Sequence, residues 1–232
     1  MHMQSSLNLK PALCALAAAS LMLTQLSFAG VKELGRAERA TSVLQAIQDT
    51  PDSRIPEQLL KDAHAIAVFP EVVKAGLIFG GRHGRGLVSV RAADGTWSSP
   101  VYIRMTGGSF GWQAGVQAAD IVLVFRSEQG VASLVNGKFT LGADAGVAAG
   151  PVGRQAQAST DEGLKAEIFS YSRARGLFAG IALDGSAISI DYTANERVYG
   201  DNVTPRMLFE NRVTKAPSEV NAFRDELEEQ TQ

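Results

Sequence analysis

Apolar positions first recur at helical spacing. Val31, Leu34, Val43, Leu44 and Ile47 gather on one side of the stretch 31–49, and Lys32, Glu33, Arg36, Glu38 and Arg39 make up the polar remainder. That pattern predicts an amphipathic helix, broken at Thr50-Pro51-Asp52-Ser53. A shorter helix is expected from Pro56, in its first turn, to about His64. Ile66 to Phe69 then reads as a strand that ends at Pro70.

From Val72 to Tyr192 the period shortens to short apolar or alternating runs punctuated by glycine. Strands are expected at 75–79, 86–91, 100–105, 109–117, 121–125, 138–141, 165–171, 177–183 and 187–191. Asp94-Gly95 and Asp184-Gly185 sit between apolar runs as hairpin turns do. Ser127 is placed to cap a short helix that stops at Asn136-Gly137. Thr204-Pro205 opens a helix, and Val220, Phe223 and Leu227 line another. Strands without helices of ten to fifteen residues between them argue against a βαβ sheet. The expected fold is therefore α+β. Its core is a curled or barrel-like antiparallel sheet, with an N-terminal amphipathic helix and C-terminal helices.

The sequence ahead of the first helix changes the picture of location. Lys10 closes a short polar start, residues 11–26 are apolar, and Ser27-Phe28-Ala29 puts small residues where signal peptidase reads. Residues 1–29 are expected to be a cleaved signal peptide and 30–232 a single domain. The run, interrupted by Ser20, Thr24 and Gln25, falls short of the ~20 apolar residues of a membrane span. Cys14, the sole cysteine, is preceded by Pro-Ala-Leu rather than by the small residue that acylation wants. Without residues 1–29 the chain keeps 21 basic and 24 acidic groups and no cysteine. Thiolate chemistry and disulfides are then excluded, and the near-neutral balance argues against nucleic acid as a partner.

Two local motifs invite chemistry. Gly107-Gly108-Ser109-Phe110-Gly111 has the G-x-S-x-G spacing of a hydrolase elbow, but His2, His64 and His83 all precede Ser109 and the residues after it alternate. A tight glycine-relieved turn accounts for it, and no enzyme is expected. Gly80-Gly81-Arg82-His83-Gly84-Arg85-Gly86 is more suggestive, because bare backbone N–H groups with Arg82, His83 and Arg85 suit an anion. A faint echo relates 74–80 to 174–180, and it sets Lys74, Arg173 and Arg175 beside equivalent glycine-rich strands. No cofactor or metal is expected, since the histidines have no carboxylates at ligand spacing.

A series of ordered blocks is recognisable. They include Ala65-Ile66-Ala67-Val68-Phe69-Pro70, Val73-Lys74-Ala75-Gly76, the 80–86 and 107–111 motifs, Trp97-Ser98-Ser99-Pro100 and Asp120-Ile121-Val122-Leu123. Further on come Leu141-Gly142-Ala143-Asp144-Ala145, Ala149-Gly150-Pro151-Val152-Gly153-Arg154, Gly176-Leu177-Phe178-Ala179-Gly180 and Tyr199-Gly200. Together they resemble the SYLF family, also called Ysc84-like, as a bacterial exported member. The resemblance implies a non-catalytic domain that binds lipid peripherally; in relatives an N-terminal amphipathic segment assists membrane contact.

The expected function is binding of anionic or phosphorylated lipid head groups. Lys74, Arg82, His83, Arg85, Arg173 and Arg175 would supply charge, and Trp112, with Trp97 or Phe110, an apolar edge. The location is then the periplasm, against the inner or outer membrane, with a periplasmic or envelope protein as a further partner. The rival reading is a structural or protein-interaction module without lipid specificity.

Overall fold

The computed structural model describes residues 30–47, 54–76, 79–110, 115–152, 166–174, 177–213 and 215–231. The expected signal segment, Trp112 and Arg175 lie outside them. Helix α1 spans 30–47 and α2 spans Glu57–Lys61. Strands β1 (Ala65–Gly76), β2 (Phe79–Val90), β3 (Val101–Phe110) and β4 (Gly115–Phe125) follow as an antiparallel set. Next come α3 (Glu128–Val135), β5 (Lys138–Thr140), β6 (Val147–Ala149), β7 (Ile168–Ala174), β8 (Leu177–Gly180) and β9 (Ser186–Ile190). Helices α4 (Tyr192–Tyr199), α5 (Pro205–Phe209) and α6 (Ser218–Gln230) close the chain.

The strands form one nine-stranded sheet ordered β5-β9-β3-β2-β1-β4-β7-β6, with β8 on β7. All its pairs are antiparallel except β6 with β7. The sheet curls. Phe125 on β4 and Phe139 on β5 are five strand positions apart, roughly 24 Å in a flat sheet at ~4.8 Å spacing. Their ring centroids stand only 6.0 Å apart. The face that carries them is the inside of a half-barrel, filled by Phe69, Ile103, Met105, Leu123 and Ile188, with Leu134 of α3 and Leu208 of α5 against them. The outer face carries Ile66, Val68, Leu87, Tyr102, Val124 and Tyr171, covered by α1, α2 and α6. With both faces covered, Ala65–Phe69 and Ile121–Phe125 are buried throughout and read as continuous apolar runs.

Several expectations are corrected here. Pro70 does not end the first strand; it sits in a β-bulge. The register of β1 shifts between Val68 and Val73 against β2 and between Phe69 and Val72 against β4, and Glu71 in between takes φ 57°. A proline without an N–H is tolerated in a central strand because the bulge leaves it unpaired. The expected strand 75–79 splits between β1 and β2, and 109–117 splits between β3 and β4, with 77–78 and 111–114 outside the described residues. Helix α4, which the periodicity did not predict, begins immediately after β9, with the Asp191 carboxylate accepting from the Ala194 N–H. In α1, Glu33 and Arg36 are not on a solvated face. Both are buried, beside Ala37, Ala40, Leu44 and Ile47, whose apolar face covers the outside of the sheet.

Candidate functional site

Beyond the bulge, the far ends of β1 to β4 emerge from the covering layers. Burial along β1 falls from complete over Ala65–Pro70 to alternating over Glu71–Gly76. Side chains on neighbouring strands share a face where they pair, so the registers give a single inward-facing row. Gln117 pairs with Lys74, Lys74 with Arg82, Arg82 with Gly107 and Gly107 with Ser186. The inward direction follows from the core residues of the same parity: Val72 on β1, Val88 on β2, Met105 on β3, Ile121 on β4 and Ile188 on β9.

The bulge decides this for Lys74. Phe69 and Val72 both face inward although three residues apart, so the extra residue reverses the alternation and turns Lys74 from the outer face to the inner one. Arg82 reaches across β3 and donates from Nη1 to the Ser186 hydroxyl at 3.0 Å. Gly107 lies in between, and a Cβ there would come within 2.9 Å of Ser186 Oγ, so glycine keeps the path open.

This row borders an open-mouthed cavity of about 570 Å3. Lys74, Arg82 and Gln117 supply its charge and hydrogen-bonding capacity, with the Ser172 hydroxyl among its lining; Val72, Ile121 and Ile181 form an apolar wall, with alanines between. Among the described residues no acidic side chain lines it. Among the described residues Lys74 has no partner and Arg82 has only the neutral Ser186 hydroxyl. Burial pulls the Arg82 guanidinium down from its ordinary value, because removing the charge from water disfavours it. An anion beside the guanidinium would offset that cost.

The other candidate cations are placed differently. His83 and Arg85 alternate with Arg82 and so face outward. Arg85 and Arg104 both approach the Asp191 carboxylate, at 4.0 and 3.9 Å, which ties β2 and β3 to the start of α4. Arg173 also faces outward, 3.7 Å from Asp120, whose carboxylate accepts the Glu71 N–H of the bulge. His83 is exposed opposite Val73 and Thr106. Trp97 is not an exposed edge: it is buried, and its Nε1 donates to Thr231 Oγ1 at 2.9 Å. The structure therefore brings together Lys74 and Arg82 and separates them from His83, Arg85 and Arg173. Gln117, Ser172 and Ser186 carry no motif, and only the parity of Arg82 against its neighbours hinted that the basic loop divides between two faces.

The elbow motif does not form a hydrolase elbow. Ser109 is within β3, paired to Gly80, and the element that follows is strand β4. His83 pairs with Thr106, three steps along the strand, or about 10 Å from the Ser109 register position. Among the described residues no group of three or more His, Cys, Asp or Glu could hold a metal. Replacing Ser109 with alanine is expected to leave the unfolding free energy within the ~0.5 kcal/mol typical of neutral substitutions, read from thermal melts. Covalent labelling of Ser109 by a fluorophosphonate probe is the result that would reverse this assignment.

Comparison with known proteins adds the ancestry. A family model described as Ysc84, Las17-binding protein actin regulator, matches residues 106–230. The chain belongs to the Ysc84 family. This Ysc84-family chain is 42% identical over 170 residues to Protein YSC84 of Saccharomyces cerevisiae, covering 72% of this chain and 36% of that one. It is 40% identical over 176 residues to LAS seventeen-binding protein 3 of the same yeast, covering 75% and 38%. To the SH3 domain-containing YSC84-like protein 1 of Mus musculus it is 32% identical over 173 residues, covering 72% and 51%. The chain thus spans between about a third and a half of the length of these relatives. The relatives come from yeasts and animals. That overturns the expectation of a bacterial exported member, together with the secreted, signal-peptide and periplasmic readings and the periplasmic or envelope partner. The Ysc84 relationship itself stands.

Proposed function

We propose that this Ysc84-family domain binds anionic membrane lipid peripherally, holding a head-group phosphate between Lys74 and Arg82 at the mouth of the half-barrel. The observation that carries the reading is the cation pair itself: two basic side chains at paired strand positions, partly withdrawn from water, on a cavity that no acidic side chain among the described residues lines. Such a pair costs stability when empty and gains charge-assisted hydrogen bonds when an anion arrives. The whole chain has a formal charge of −2, so a local site rather than bulk adsorption must do the binding. No catalytic step is part of this function. The N-terminal helix is not the inserting element in this reading, because its apolar face is occupied by the sheet.

Flotation on phosphatidylcholine vesicles with and without phosphatidic acid tests it. The Lys74→Ala/Arg82→Ala variant is expected to lose tenfold or more in affinity for the anionic vesicles, at ~1.5–3 kcal/mol for each charged hydrogen bond. Added salt should weaken the parent in the same direction. Arg206→Ala, an exposed cation on α5, is the control that should float like the parent. Unchanged flotation of the double variant removes lipid from this site. A protein partner, as in the names of the Las17-binding yeast relatives, then becomes the better reading.

A further inference from the structure

We propose that the inner cavity takes up a single-tailed anionic amphiphile, with its anion between Lys74 and Arg82 and its first methylenes against Val72, Ile121 and Ile181. This rests on the reading of Lys74 and Arg82 as an anion-binding pair and goes beyond it by assigning the apolar wall.

A site built for a head group alone has no use for that wall. The lining residues divide by depth. Gln117, Lys74 and Arg82 form the outer row, and Ala119 and Val72, the next pair inward along β4 and β1, carry no polar side-chain group. Val72 and Ile121 are 3% and 2% exposed and belong to the inner core, so this end of the cavity is continuous with the hydrophobic filling of the half-barrel. Ile181, just past β8, closes the side opposite β1. A volume of about 570 Å3 falls in the usual range for enclosed small ligands. Orientation follows from the chemistry: a cationic outer row and an apolar inner wall admit an amphiphile head-outward. Gln117 offers a neutral donor for the remaining oxygens of a phosphate or carboxylate, whereas the Ser172 hydroxyl stands deeper, opposite Ile121. A two-tailed membrane lipid would present only its head group to the outer row and leave its tails in the bilayer. A free single-tailed anion can enter.

Calorimetric titration of the full chain with butyl phosphate, decyl phosphate below its micelle-forming concentration and glycerol 3-phosphate tests this. Each buried methylene contributes about 0.8 kcal/mol, or roughly fourfold in affinity, so decyl phosphate should bind at least tenfold more tightly than butyl phosphate. Ala119→Phe fills the wall from β4, and Ala174→Phe fills it from an exposed position on β7 where misfolding is less of a risk. Either should cost decyl phosphate tenfold or more while leaving glycerol 3-phosphate binding and vesicle flotation within about twofold. Decyl phosphate should also compete with anionic vesicles for the protein, since the two share the cation pair. Equal affinity along the chain-length series overturns the amphiphile site while leaving head-group binding in place. Failure of all three phosphates, with flotation still sensitive to Lys74→Ala/Arg82→Ala, overturns it also, because the cations then act only at a membrane surface. Loss of that sensitivity as well overturns both readings.

Discussion

Replacing Gly86 with alanine is expected to lower the unfolding midpoint by about 10 °C, from a loss of ~3–4 kcal/mol at ~2–4 °C per kcal/mol for a chain of this size. The cause is not backbone conformation, since Gly86 is absent from the positive-φ glycines, Gly95, Gly137, Gly142, Gly185 and Gly200. It is a close approach. A Cβ at Gly86 would stand 2.1 Å from the Val68 carbonyl oxygen and 2.8 Å from the Phe69 ring. Val68 is hydrogen-bonded into the ladder beside the bulge, and Phe69 is fully buried in the half-barrel, so neither can retreat without disturbing its neighbours. Gly81, on the same strand, has nothing within 4 Å of an added Cβ. Gly81→Ala should therefore melt close to the parent. Circular-dichroism melts of the two variants side by side make the comparison, and a Gly86→Ala midpoint within about 2 °C of the parent, under 1 kcal/mol, would show that the strands relax at little cost.

Removing the Glu33 side chain is expected to cost about 3 kcal/mol and to free helix α1 from the sheet. Glu33 is 2% exposed, with Oε2 2.9 Å from Arg36 Nη2 and Oε1 3.4 Å from Nη1 of Arg197 on α4. The Tyr102 hydroxyl on β3 donates to the Glu33 backbone carbonyl at 2.9 Å, and the Arg36 guanidinium lies 5.8 Å from the centre of the same tyrosine ring. Burial raises the Tyr102 hydroxyl well above its usual value, which keeps it a neutral donor throughout the working range. Glu33→Ala would leave Arg36 buried without a counter-charge, and breaking one side of a buried pair costs more than removing both. Arg197 is 39% exposed on its side chain and can rehydrate, so the figure sits at the lower end for a broken buried pair. Glu33→Leu combined with Arg36→Leu should recover most of the loss. Hydrogen exchange over 30–47 should rise in Glu33→Ala more than exchange over β1. Unchanged exchange in α1 would mean that Ala37, Ala40, Leu44 and Ile47 hold the helix without the ion network.

These two positions mark the boundary of what could be read along the chain. Gly86 sits in a glycine-rich motif whose glycines suggested an exposed anion loop. Paired strands instead set it against β1, where a Cβ would meet the Val68 carbonyl. Glu33 and Arg36 were assigned to a polar helix face because helical periodicity cannot tell a solvated ion pair from one sealed against a tyrosine. Helix α4 is not legible in the periodicity because only its cap, Asp191, separates it from β9 and it carries few apolar side chains, only Ala194 and Asn195 being buried. Local chemistry fared better wherever it is self-contained. Ser127 accepts from the Gly130 N–H and caps α3, Asn136-Gly137 ends it with Gly137 at φ 105°, and Thr204 caps α5 with Pro205 in its first turn.

The class of fold, the family, the turn and cap positions and the presence of basic residues among glycines near the ends of strands are legible along the chain. Those properties depend on near neighbours: side-chain period, φ preference, and hydroxyl or carboxylate groups within reach of the next turn. Which basic residues share a face depends on the pairing of strands far apart in the chain. Alternation relates positions within a strand but does not set the register between strands. The bulge at Pro70-Glu71 reverses the parity of β1, so Lys74 joins Arg82 on the inner face while Val73 and His83 turn outward. The curl of the sheet then brings Ser186 of β9 under the Arg82 guanidinium, 104 residues away in sequence, and draws Ile181 toward Val72 around the same cavity.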